Sequence, residues 1–141
     1  MKNVIVLISH GELSKGMANS AQMIVGKSDN IYYYGLMPGE HPSEIVKDIK
    51  EEILEKNIDK KVIIVSDIVG GSMCNSAMEL LEFENVTLIG GMNLQLVVDL
   101  ILQEELSEED CENIVDNSKD GIQLIKKSIV NKDSDDKNDF F

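Results

Sequence analysis

Short β-branched runs alternating with amphipathic segments constrain this chain more than any other feature. The runs cover residues 3–9, 29–36, 61–66 and 86–89, and apolar residues at helical spacing follow each of them. That alternation is the pattern of βα units, in which strands lie parallel and helices cross back over the sheet. The first helical segment spans residues 13–25, with Met17, Ala21, Met23 and Ile24 at apolar positions. Met37-Pro38-Gly39-Glu40 breaks the second strand. Pro42 or Ser43 then opens a helix in which Ile45, Val46, Ile49, Ile53 and Leu54 recur. The run at 61–66 is apolar enough to be a central strand buried on both faces. A helix begins near Ser72 and ends around Leu81, and another spans residues 94–103. Ser107 followed by Glu108-Glu109-Asp110 has the composition of a capped helix start with acids in its first turn. That last helix either breaks at Gly121 or continues to about Ile129. The expected architecture is one α/β domain, residues 1–131, with a mainly parallel open sheet and helices on both faces. Residues 132–141 are polar and charged up to Phe140-Phe141, the composition of an acidic, disordered tail.

Composition narrows the partners. A chain of 141 residues, 43% hydrophobic, is large enough for one proper core. Its formal net charge of -13 disfavours nucleic acid and favours solubility or docking on a basic protein face. The apolar runs are strand-sized and the start shows no cleavable signal pattern, so the cytoplasm is the expected compartment. Cys74 and Cys111 have neither the number nor the spacing of a disulfide framework or a zinc site. Every cation is a lysine; the chain has no arginine. A phosphate site here would therefore rely on backbone N–H groups and hydroxyls rather than a guanidinium fork.

The candidate chemistry lies at two strand ends. The first run delivers Ser9-His10-Gly11, and the third delivers Ser66-Asp67 with Gly70-Gly71-Ser72 just beyond. If those strands are parallel neighbours, His10 and Asp67 emerge at one edge. A carboxylate accepting Nδ1–H would fix the imidazole tautomer and leave Nε2 as a nucleophile. Asp67 also suits a plain turn or cap. Gly70 and Gly71 let the backbone approach an anion closely, and the Ser72 hydroxyl adds a donor; an ordinary turn with a serine cap has the same composition. His41, beside Pro42 in a polar loop, reads as a surface residue. Cys74 reads as a packing thiol, Met73, Met78 and Met92 as core or loop filler, and Tyr32-Tyr33-Tyr34 as strand packing. Nucleotide-binding glycine fingerprints and a nucleophile-elbow serine are absent from the sequence, and two isolated histidines give no metal constellation. A receiver domain would place acidic residues where Ser9-His10 stands.

Four pieces taken together resemble the enzyme IIA domain of the mannose class of the phosphoenolpyruvate-dependent sugar phosphotransferase system. They are the strand ending in His10-Gly11, Pro38-Gly39-Glu40, Asp67-x-x-Gly70-Gly71-Ser72-x-x-Asn75, and Gly91-Met92-Asn93. The resemblance covers about residues 1–130. It implies strand order 2-1-3-4, with an edge strand exchanged between the subunits of a homodimer. It also implies a cytoplasmic phosphocarrier: His10 accepts a phosphoryl group from HPr and passes it to an enzyme IIB serving a membrane permease. Asp67 would orient the imidazole, and residues 70–72 would hold the phosphoryl group, with no metal or organic cofactor. Two departures stand out. Met73 replaces the proline usual in that loop, which should loosen it without removing a donor. No IIB domain follows, so enzyme IIB is expected to be a separate protein. The alternatives are a regulatory phosphorylation module of the same fold, including the type serving dihydroxyacetone kinase, and a small-molecule-binding α/β domain without phosphotransfer.

Overall fold

The computed structural model describes residues 3–127. Four strands, β1 (Asn3–His10), β2 (Ile31–Leu36), β3 (Lys61–Ser66) and β4 (Val86–Gly90), form one sheet in the order β2-β1-β3-β4. Every neighbouring pair is parallel. Between successive strands run α1 (Leu13–Val25), α2 (Pro42–Ile49) and α3 (Ser72–Ala77), and α4 (Leu94–Leu102) and α5 (Glu108–Lys119) follow β4. The chain leaves β1 through α1 to build β2 on one side, then returns through α2 to build β3 on the other side of β1. That reversal of direction opens a crevice between the carboxyl ends of β1 and β3.

Alternation along the inner strands makes the layers. Val4, Val6, Ile8, Val62 and Ile64 face α2 and α3, where Ile45, Ile49, Met73 and Ala77 meet them. Ile5, Leu7, Ile63 and Val65 face the opposite way, against Ala18, Ala21, Val97 and Ile114 of α1, α4 and α5. β1 and β3 are thus buried on both faces, which is why their sequences are nearly continuous Val, Ile and Leu. Each such side chain contributes about 1.5–3 kcal/mol of burial. The outer strand β2 is different. Tyr32 and Tyr33 are substantially exposed, whereas Ile31, Tyr34 and Leu36 pack on the core, the Tyr34 Oη donating to Glu52 at 2.6 Å. Burial first, then Glu52, pushes the Tyr34 phenol up from its ordinary range.

Several expected boundaries move for identifiable reasons. β1 runs one residue further, so His10 ends the strand and pairs with Leu36 instead of opening a loop. α2 continues as a π-helical turn over Lys50–Leu54, and α3 tightens after Ala77 into a 3₁₀ segment, Met78–Glu82. Met78 is 55% exposed there, so it does not serve as core filler. Of the two readings of the last helix the structure takes the break. α5 ends at Lys119 and the chain turns through Gly121, whose neighbours Gln95 and Ser118 leave little room for a side chain. Residues 122–126 are non-helical and exposed. The tail expected over 132–141 lies outside the described residues.

Candidate functional site

Register brings the two strand ends together. Ile8 lies opposite Ser66 in the β1–β3 ladder, so Asp67 falls beside His10 just past the last paired residues. Gly11, with φ +58°, turns the chain out of the sheet toward α1, and its N–H donates to the Leu36 carbonyl at 2.8 Å. The buried Ser9 side chain secures that turn by accepting from the Ser14 N–H at 2.8 Å. α1 has no side-chain cap from its own N-cap residue Glu12, so Ser9 supplies one from the strand.

Asp67 grips His10 twice. Its Oδ2 accepts from the His10 backbone N–H at 2.9 Å and lies 2.8 Å from the ring Nδ1; its Oδ1 accepts from the Ile68 N–H at 2.9 Å. The Asp67 side chain is 7% exposed and that of His10 is 50% exposed. Burial pushes the carboxyl pKa up. The hydrogen bonds from the His10 backbone, the His10 ring and the Ile68 backbone outweigh it and hold Asp67 below its ordinary value. An ionised carboxylate only accepts, so Nδ1 carries the proton and Nε2 presents a lone pair. Facing that lone pair, 3.1 Å away, is the Ser72 hydroxyl.

The loop that carries Ser72 is a tight turn. The Gly71 N–H donates to the Ile68 carbonyl at 3.3 Å, and Gly70 sits at φ +81°, which demands glycine at the third position of such a turn. Gly71 lies against the imidazole: a Cβ there would stand 3.7 Å from His10 Cε1. Below the loop, Met73 is fully buried in the core, so a buried anchor offsets the constraint lost with proline. Cys74 and Cys111 are both buried thiols, and burial pushes Cys111 up.

His10, Asp67, Gly70, Gly71 and Ser72 therefore form one cluster, as their spacing suggested. His41 stands apart, exposed at the surface. It has a role the sequence reading missed: it is the N-cap of α2, its Nδ1 accepting from the Ser43 N–H at 3.1 Å. Asn75, quoted above only as part of a motif, donates through Nδ2 to the Gly70 carbonyl at 3.1 Å. Among the described residues no helix is long and apolar enough to cross a membrane.

The class these features define is a parallel α/β domain with a carboxylate-oriented histidine at its topological reversal. The family model described as "PTS system fructose IIA component", EIIA-man, matches residues 4–119, and the chain belongs to this family. It is 23% identical over 136 residues to the mannose-specific EIIAB component of the phosphotransferase system of Escherichia coli K12. That match covers 94% of this chain but 42% of the relative, so the chain spans less than half the length of the curated protein it matches. The PTS IIA protein associated with the fucose utilization operon of Streptococcus pneumoniae superposes with a TM-score of 0.80 at 30% identity, covering 92% of this chain and 97% of that one. The mannose/sorbose-specific IIA subunit of Enterococcus faecalis shares the fold at 20% identity, with a TM-score of 0.81 over 89% of this chain and 96% of its own.

Proposed function

We propose that this chain is a phosphocarrier of the sugar phosphotransferase system, taking a phosphoryl group from HPr on His10 and delivering it to an enzyme IIB for sugar uptake. The observation that carries this reading is the continuous set of contacts Asp67–His10–Ser72 at a half-exposed ring. The Nε2 lone pair attacks phosphorus of the donor's phosphohistidine. The new N–P bond forms as the donor's N–P bond breaks, and that bond's electron pair stays on the donor nitrogen. With Nδ1 protonated and Nε2 phosphorylated, the ring takes on imidazolium character, which the Asp67 carboxylate stabilises. The Ser72 hydroxyl swings from Nε2 to a phosphoryl oxygen, and Gly70 and Gly71 leave the group room to sit. Delivery to enzyme IIB is the same step with the chain as donor.

Transfer between two imidazoles depends on positioning and electrostatics, and it calls for neither a metal nor an organic cofactor. The site is arginine-free because the chain is, so hydroxyl and backbone groups take the phosphate. The role places the protein in the cytoplasm, with protein partners on the membrane side and none of nucleic acid. An exposed apolar stretch after α5 and a β4 edge that no strand pairs with among the described residues support the homodimer with an exchanged strand. Incubation with phosphoenolpyruvate, enzyme I and HPr should give an acid-labile, base-stable phosphoprotein. Labelling that persists in His10→Ala would rule the assignment out.

A further inference from the structure

We propose that Asn75 is a positioning residue for the His10 site and acts through Ser72; the inference rests on the phosphocarrier reading above. The two residues before Ser72 are both glycine, and glycine permits rotations that a side chain would forbid. Left to themselves, the peptides on either side of Gly71 have several orientations of similar cost. Asn75 removes that freedom. Its side-chain Nδ2 donates to the Gly70 carbonyl at 3.1 Å, and its own backbone N–H donates to the Gly71 carbonyl at 2.9 Å. The peptide between the two glycines is also held from its other end, where the Gly71 N–H donates to the Ile68 carbonyl at 3.3 Å.

Both carbonyls ahead of Ser72 are therefore tied back to one residue in the first turn of α3. As a result the backbone that carries Ser72 is fixed, which keeps its Oγ 3.1 Å from Nε2. The side chain must donate, must be short, and must sit five residues after Gly70; asparagine meets all three conditions. Aspartate has the same shape but places one acceptor against another at neutral pH.

The test is a double-mutant cycle on the full chain, read as HPr-dependent phosphorylation of His10. Asn75→Ala should lower the transfer rate constant by about five- to tenfold with little change in the KM for HPr, as expected for loss of one hydrogen bond that orders a reacting group. Because the effect passes through Ser72, Asn75→Ala should cost less than about twofold further in a Ser72→Ala background. Parental rates in Asn75→Ala, or full additivity of the two substitutions, would overturn the proposal. Should Asn75→Ala fail to fold, the isosteric Asn75→Asp carries the same comparison. If the parent chain takes no phosphate from HPr, the phosphocarrier reading falls, and Asn75 is judged separately by the His10 Nε2 resonance in ¹⁵N spectra. That resonance should move in Asn75→Ala in the direction it moves in Ser72→Ala; an unmoved resonance refutes the positioning role.

Discussion

His10 differs from an ordinary surface histidine because its two ring nitrogens have unlike partners, a carboxylate at Nδ1 and a hydroxyl at Nε2. The Asp67 side of that arrangement was legible in the sequence, since two short strands ending in polar residues bring those residues together whenever they pair in parallel. The Ser72 contact and the Asn75 tie were not, because each depends on where a glycine turn places the chain in space. Asp67→Asn tests the carboxylate. It keeps the shape, removes the charge, and should slow phosphorylation of His10 by about ten- to a hundredfold, the range for a hydrogen bond to a charged group. The sign of the pH effect follows from the lowered pKa. Asp67 stabilises the fold fully above its unfolded value near 3.8, and that contribution is lost as pH falls through the lower folded value. Thermal melts of the parent should therefore decline more steeply below about pH 4 than those of Asp67→Asn. Parallel curves would show that the carboxylate is not preferentially ionised in the fold.

The two central strands do different work at their two ends, with the site at the carboxyl ends and contacts that support the fold at the amino ends. The loops after β1 and β3 carry the chemistry. At the amino ends of the same strands, Asn3 Nδ2 donates to the Glu104 carbonyl at 2.8 Å and Lys61 Nζ to the Leu106 carbonyl at 2.9 Å, which fixes the approach to α5. There Ser107 caps α5, as the run of acids after a serine had suggested, and Asp110 completes a reciprocal capping box. Hydrogen bonds from Ser107 hold the Asp110 carboxyl below its ordinary value. Ser107→Ala should cost about 1 kcal/mol in denaturant unfolding while leaving His10 phosphorylation at the parental rate. A large loss of transfer rate would mean that the two ends of the sheet are coupled. Helix existence was readable from periodicity; helix type was not. Residues 50–54 and 78–82 keep apolar spacing close to α-helical, and only tertiary packing decides that one widens to a π turn and the other tightens. His41 shows a related limit, because histidine is not among the side chains whose presence signals a cap.

For the whole molecule, the sheet has one inner and one outer problem. The inner one is solved by two faces of helices over β1 and β3. The outer one lies at the edges, β2 on one side and β4 on the other; among the described residues no further strand pairs with β4, which is flanked by a groove lined by Thr87, Leu88 and Ile89 with Cys111 and Val115 of α5. An unpaired edge of this kind is a template for another strand. Just after α5 the chain presents Ile122, Leu124 and Ile125 at 80%, 76% and 65% exposure, an apolar stretch that solvent alone would not favour. In the proposed homodimer an exchanged strand would bury both features. The expectation of an exchanged strand came only from the family resemblance, since periodicity at 121–129 suits a helix as well as a strand. In a symmetric dimer each substitution counts twice. Leu124→Asp should therefore remove two side chains' burial, about 4 kcal/mol, and weaken the dimer by about three orders of magnitude. Sedimentation equilibrium at micromolar concentration should give a dimer for the parent and a monomer for the variant, with β1 and β3 still protected in hydrogen exchange. A parent that sediments as a monomer, or a variant that stays dimeric, would remove the strand exchange and leave the β4 edge to a different partner.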